Sequence, residues 1–228
     1  YEIASCLVGS EMCIRDRDDG KANVFSPEMS KQINECLDQV PTEEGCLIIT
    51  GREGMFSGGL DLKIIQSGDI DHIQEMSFSA FKLLARIFSF PRPVIAACSG
   101  HAVALGTFLL CCCDYRIGVK GEFMLGANEM RTNMVIPTPI LELIKFRVSN
   151  AHKYRAVLGA EMYTLEDSLA AGLMDEVVDQ NLLMSAVNEK AKDLATMGHP
   201  SYSMTKELFI ADPMSKINTA MEELKNNS

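Results

Sequence analysis

Val94-Ile95-Ala96-Ala97-Cys98-Ser99-Gly100-His101-Ala102-Val103-Ala104-Leu105-Gly106-Thr107-Phe108-Leu109-Leu110-Cys111-Cys112-Cys113 is a run of twenty residues without Asp, Glu, Lys or Arg. Its length would span a bilayer. Its content argues otherwise, because Ser99, Gly100, His101, Gly106 and Thr107 interrupt it. Pro91-Arg92-Pro93 precedes it and Asp114-Tyr115-Arg116 follows. We read a buried strand over Val94–Cys98, a glycine turn, and a buried helix over residues 105–113. Tyr115–Val119 then returns as a strand.

Working outward, Cys46-Leu47-Ile48-Ile49-Thr50 is a second continuous apolar run, ended by Gly51. That pattern predicts a strand buried on both faces. Between the two strands, Ile73, Met76, Ala80, Leu84, Ile87 and Phe88 recur at helical spacing until Pro91 stops them. Upstream, Ser26 caps a helix with Pro27 at its first position and Glu28 in its first turn. Met29, Ile33, Cys36, Leu37 and Val40 give that helix one buried face. Beyond Pro139 helices dominate, with a capped turn at Thr164, Glu166 and Asp167, a stop at Gly172, and a brief strand at Val177-Val178. The whole reads as α/β with a helical C-terminal part. Residues 1–17 show no clear period and no signal-peptide pattern, so we expect them to lie outside the ordered core, with the boundary at Asp18.

The 228 residues are 47% apolar and 23% charged, an ordinary globular balance, and carry a formal charge of −10. No cluster of Lys and Arg offers a phosphate-binding face, which excludes a nucleic-acid partner. An anionic small molecule remains open through local backbone donors. Of the eight cysteines, Cys111, Cys112 and Cys113 are adjacent and lack zinc-site spacing. They read as buried small hydrophobes in a reducing compartment, and no metal is implied.

Two glycine-containing turns follow the two buried strands. They are Phe56-Ser57-Gly58-Gly59-Leu60-Asp61-Leu62 and Gly100-His101-Ala102-Val103-Ala104-Leu105-Gly106. Glycine lets backbone approach a ligand, and a helix start presents unpaired N–H groups. Facing one cleft, two such turns would form a two-donor oxyanion hole. His101 reads as a packed histidine, Asp61 and Asp114 as turn anchors, and Ser57 and Ser99 as ordinary serines without a nucleophile-elbow context.

These segments, with Pro93 to Ala102, Cys113-Asp114-Tyr115-Arg116-Ile117, Leu125-Gly126-Ala127-Asn128-Glu129 and Ala170-Ala171-Gly172-Leu173, resemble the crotonase (enoyl-CoA hydratase/isomerase) superfamily in order and spacing. The resemblance implies a spiral of ββα turns over residues 18–140 and a helical region over 141–228 that mediates trimer or hexamer formation. It implies an acyl-CoA thioester as substrate, so that CoA is part of the substrate and no separate cofactor is needed. By motif, Gly58 and Leu105 would supply the oxyanion N–H groups, with Gly106 as a substitute for Leu105. Lys21, Val24, Gly59, Leu60, Asp61, Leu62 and Lys63 would line the adenine end. The family's hydratases use two glutamates; here the first position is Phe108 and the second is Glu129. The Δ3,Δ2-enoyl-CoA isomerases of the superfamily manage with the second alone. The match thus favours an isomerase in which Glu129 shuttles the proton and Phe108 and Gly106 border the substrate pocket. A hydratase and a non-catalytic acyl-CoA-binding member remain the alternatives. With no targeting signal, a cytoplasmic enzyme without membrane partners is expected.

Overall fold

The computed structural model describes the backbone of residues 5–8, 11–15 and 22–226, with side chains over 22–226. Strands β1 (Ser5–Val8), β2 (Glu11–Arg15) and β3 (Val24–Phe25) precede helix α1 (Pro27–Leu37). Then come β4 (Cys46–Thr50), β5 (Gly54–Ser57), β6 (Gly59–Leu60), α2 (Leu62–Ser67) and α3 (Ile70–Phe88). The next turn of the chain is β7 (Val94–Cys98), β8 (Gly100–Val103) and α4 (Leu105–Cys112), followed by β9 (Tyr115–Val119) and β10 (Met124–Gly126). The remainder is α5 (Thr138–Arg147), α6 (Lys153–Val157), β11 (Tyr163–Thr164), α7 (Ser168–Ala171), β12 (Glu176–Val178), α8 (Leu183–Ala195), α9 (Ser201–Phe209) and α10 (Ala211–Asn226).

The strands form a six-stranded sheet in the order β1-β2-β4-β7-β9-β12 and a four-stranded sheet in the order β11-β10-β8-β5. Each turn of the chain lays one strand in the first sheet and the next in the second: β4 then β5, β7 then β8, β9 then β10. This is the ββα spiral that the resemblance implies. The continuous apolar runs have the reason foreseen for them. Leu47, Ile49, Ala96 and Cys98 face the main core, while Ile48, Ile95, Ala97 and Ile117 face a second layer under Leu183, Val187 and Ala191 of α8.

The twenty uncharged residues are thus strand, strand and helix, and among the described residues no helix is long and apolar enough to cross a membrane. Ser26 caps α1 by accepting from the Met29 N–H at 3.1 Å, with Pro27 at its first position. Cys46, Cys98, Cys111, Cys112 and Cys113 are buried. Burial pushes the thiols of Cys98 and Cys113 up to about 12 and that of Cys111 up to about 11, so none of these three is a thiolate nucleophile.

Two expectations are corrected. Residues 1–17 were read as outside the core, yet β1 and β2 pair antiparallel and β2 runs beside β4, with Cys13 opposite Ile48. Strands of four and five residues are too short to show a period when charges flank them. Likewise, the segments read as glycine turns contain β5, β6 and β8. Gly100 tolerates no side chain because a Cβ there would lie 2.0 Å from the Gly54 carbonyl carbon on the neighbouring strand.

Candidate functional site

A cavity of about 470 Å³ opens where β6, the start of α4 and the segment after β10 converge. Its walls include Gly58, Leu60, Leu62, Val103, Ala104, Leu105, Asn128 and Glu129, and they are mostly apolar. That size suits a small-molecule ligand.

Glu129 opens a 3₁₀ turn, Glu129–Thr132, just beyond β10. Its own carbonyl fixes the turn by accepting from the Met134 N–H at 2.9 Å and the Thr132 hydroxyl at 3.0 Å. The side chain is only 6% exposed, and its Oε2 has no hydrogen-bond partner. Burial raises its pKa above the ordinary carboxylate value, because the charged form loses water without gaining a cation. Among the described residues that line the cavity, Glu129 alone is titratable.

The other wall is made of backbone. Leu105 is the first residue of α4, so its N–H has no carbonyl one turn back to bond. The turn that aims it requires Ala104 at φ 51°, a conformation that favours glycine. Ala104→Gly is therefore expected to raise unfolding stability by about 1 kcal/mol, net of glycine's entropy cost. A lower denaturation midpoint in urea would contradict that strain.

The expected donor at Gly58 is corrected: its N–H donates to the Ala22 carbonyl at 2.7 Å and is not available. The structure offers Leu60 instead. Val24 and Phe25 of β3 pair with Gly59 and Leu60 of β6, and the Asp61 N–H donates to the Phe25 carbonyl at 2.9 Å. Successive strand N–H groups point to opposite sides, so that of Leu60 turns away from β3, and Leu60 borders the cavity. Gly59, at φ 94°, lets the two walls meet, since a Cβ there would sit 3.2 Å from the Leu105 nitrogen.

Phe108 and Gly106 do not border the cavity as expected. Phe108 is wholly buried in the core. Gly106 packs against β5, where a Cβ would lie 2.4 Å from the Ser57 carbonyl oxygen. Both lie on the inner side of α4 rather than on its cavity end. Of the residues expected at the adenine end, Leu60 and Leu62 line the cavity while Val24, Gly59, Asp61 and Lys63 do not. Asp61 caps α2, accepting from the Lys63 N–H at 2.8 Å, and Lys63 is exposed. Lys21 lies outside the described residues. His101 is packed as read, its Nδ1 accepting from the Met124 N–H at 3.0 Å.

A clamp unites the two walls and was not foreseen. Gly126 accepts from the Ala104 N–H at 3.0 Å and donates to the Thr107 hydroxyl at 2.9 Å. It stands three residues before Glu129. A Cβ there would lie 2.8 Å from the Glu161 carbonyl oxygen, a backbone contact that calls for glycine.

Against known proteins, residues 11–227 match the family model described as enoyl-CoA hydratase/isomerase. A putative enoyl-CoA hydratase of Thermus thermophilus is 27% identical over 202 residues, covering 86% of this chain and 79% of its own. A probable enoyl-CoA hydratase of Mycobacterium tuberculosis superposes with a TM-score of 0.92 at 33% identity, over 98% of this chain and 94% of that one. A second structure of that same Mycobacterium tuberculosis protein, named an enoyl-CoA isomerase, superposes with a TM-score of 0.90 at 32% identity, over 99% and 98%. With the spiral, the buried carboxylate and a family match over nearly its whole length, the chain belongs to the enoyl-CoA hydratase/isomerase family.

Proposed function

We propose that this protein moves the double bond of a 3-enoyl-CoA thioester to the 2-position. The observation that carries the reading is the solitary carboxylate: Glu129 is the one titratable side chain among the described residues lining the cavity. Adding water across a double bond calls for a base to activate the water and an acid to protonate carbon. A 1,3-proton shift needs one group that takes a proton and returns it. Phe108, at the position of the hydratases' first glutamate, supplies no second carboxylate.

In this mechanism the thioester carbonyl accepts from the Leu105 and Leu60 N–H groups. Glu129 removes a C2 proton, and the negative charge of the dienolate settles on the thioester oxygen. Each backbone donor in such a hole contributes about 3–4 kcal/mol to the barrier reduction. Glu129 then delivers the proton to C4. Its raised pKa suits this task, because a carboxylate held above its ordinary value by burial is a stronger base toward the C2 proton. The apolar walls keep water from competing for the dienolate. The adenine end of CoA lies in this reading along Val24, Gly59, Leu60, Asp61, Leu62 and Lys63.

Gly59→Ala is expected to lower kcat by about 10²-fold, since the methyl would crowd the Leu105 N–H and the cost is that of one lost donor. A variant that folds and turns over at the parent rate would remove Leu105 from the mechanism. Assembly is part of the same reading. Met204, Leu208 and Phe209 of α9 are exposed, Phe209 at 71%, and a trimer or hexamer would cover them.

The deciding assay offers 3-enoyl-CoA and 2-enoyl-CoA of equal chain length to the purified protein and resolves products by mass. Conversion of the 3-enoyl ester without gain of water is the expected result. Rapid water addition to the 2-enoyl ester would replace the isomerase with a hydratase.

A further inference from the structure

Glu129 is buried, but the chain that follows it is not. Residues 130–135 are all exposed, so packing does little to hold the base in place. Within the turn the bonds are local: the Arg131 N–H donates to the Asn128 carbonyl at 2.9 Å, and Thr132 and Met134 donate to that of Glu129. Among the described residues, a single hydrogen bond ties Glu129–Thr132 to another segment. Arg131 Nε donates to the Ala160 carbonyl at 2.8 Å. That acceptor is firmly set. At the end of α6 the Gly159 N–H donates to the Tyr154 carbonyl at 2.9 Å, and the Glu161 N–H to that of Arg155 at 3.0 Å. Ala160 between them stands at φ 44° and is buried. A residue with a side chain keeps such a backbone only where its surroundings fix it. The same segment meets the chain ahead of the base. Tyr163 lies opposite Leu125 where β11 pairs with β10, and the Glu161 carbonyl closes on Gly126. Residues 160–163 therefore grip the chain on both sides of Glu129.

We propose that Arg131 is a positioning residue: its bond to Ala160 holds the Glu129–Thr132 turn closed and keeps the carboxyl in the cavity and out of water. The inference rests on the reading of Glu129 as the base. Arg131 does this through a donor in one place rather than through its charge. Burial raises the Glu129 carboxyl, and no neighbouring charge contributes. The charged and titratable groups of the gripping segment answer one another instead. Arg155 Nε donates to Glu161 Oε2 at 2.6 Å, the Tyr163 hydroxyl donates to the same oxygen at 3.3 Å, and His152 Nδ1 lies 3.4 Å from that hydroxyl. Without the Arg131 bond the exposed turn has only its local bonds, and water gains access to the carboxyl.

Two variants separate the donor from the charge. Glutamine carries an N–H as far along the side chain as arginine Nε, without the charge, whereas methionine has a methyl there. Arg131→Met is expected to lower kcat at least about tenfold with KM changed by no more than about twofold. The acid limb of its kcat/KM profile should move to lower pH as water reaches the carboxyl. Arg131→Gln should keep kcat within about threefold of the parent and leave that limb in place. Carbon-13 shifts of the Glu129 carboxyl, assigned against Glu129→Gln, follow the same titration without turnover. Melting curves check folding, and Arg131→Ala gives the same readouts should the methionine variant not fold. A lowered Tm with the carboxyl titration unmoved would make the bond merely structural and overturn the proposal. So would equal losses in the methionine and glutamine variants, which would give the role to the charge. If the parent does not isomerise 3-enoyl-CoA, the isomerase reading falls, and the carboxyl titration still decides the role of Arg131.

Discussion

Glu129→Gln should lose turnover by at least about 10³-fold in kcat and become more stable at neutral pH. The first effect follows from removing the only titratable group among the described cavity residues. The second follows from burial: Oε2 has no partner, and the folded protein holds that proton more tightly than the unfolded chain does. The folded pKa is thus raised. The stability it contributes is fully present below the unfolded value near 4.5 and is lost as pH rises through the folded value. Glutamine carries no such penalty. Melting temperatures of the two proteins should therefore lie closest near pH 4 and diverge progressively as pH rises through the folded pKa. The same shift sets the activity profile, with kcat/KM falling on the acid side about a midpoint above the usual carboxylate range. If Glu129→Gln kept activity within tenfold of the parent, the base would have to be sought elsewhere.

The second large effect concerns the frame rather than the chemistry. Asp114 Oδ2 accepts from the Val94 N–H at 3.0 Å, the Lys206 ammonium at 2.6 Å and the Tyr202 hydroxyl at 3.2 Å. Its Oδ1 meets Arg147 at 3.5 Å. One carboxylate therefore ties β7, α5 and α9 together. The Lys206 side chain is 7% exposed, so removing Asp114 strands a buried ammonium. Asp114→Asn is expected to cost about 3–5 kcal/mol, a large part of a typical domain's 5–15 kcal/mol. Urea unfolding measures it. Lys206→Met should cost less, since Asp114 keeps its other three partners, and the double variant should be more stable than the sum of the two. Additive costs would show that the pair does not interact.

What the sequence made legible were elements whose physics is local and repeated. The run from Cys46 to Thr50, the face from Ile73 to Phe88 and the Ser26-Pro27 helix start each declare themselves through period or cap. Asp61 and Asp114 were recognisable as anchors because short acids beside turns satisfy backbone donors. The second sheet was not legible, since β5 and β8 contain glycines placed for close backbone approach, which read as turns. Glu129 was distinguishable from a solvated loop carboxylate only through its motif register, because burial depends on which distant segments cover it. The proposed donor at Leu60 was missed for a deeper reason. The direction of an N–H group belongs to strand pairing with Val24 and Phe25 and leaves no mark on side-chain type.

Gly126 holds the Ala104-Leu105 turn through Ala104 and Thr107 and stands three residues before Glu129, the base of the proposed mechanism. Two working parts hung from one rivet share a single lifetime. Warming or denaturant that loosens this residue would release the turn that carries Leu105 and the turn that carries Glu129 in the same event. In the proposed mechanism, loss of the Leu105 donor and loss of the Glu129 base are then expected to coincide, so a partly inactivated sample should contain intact and silent copies rather than uniformly weakened ones.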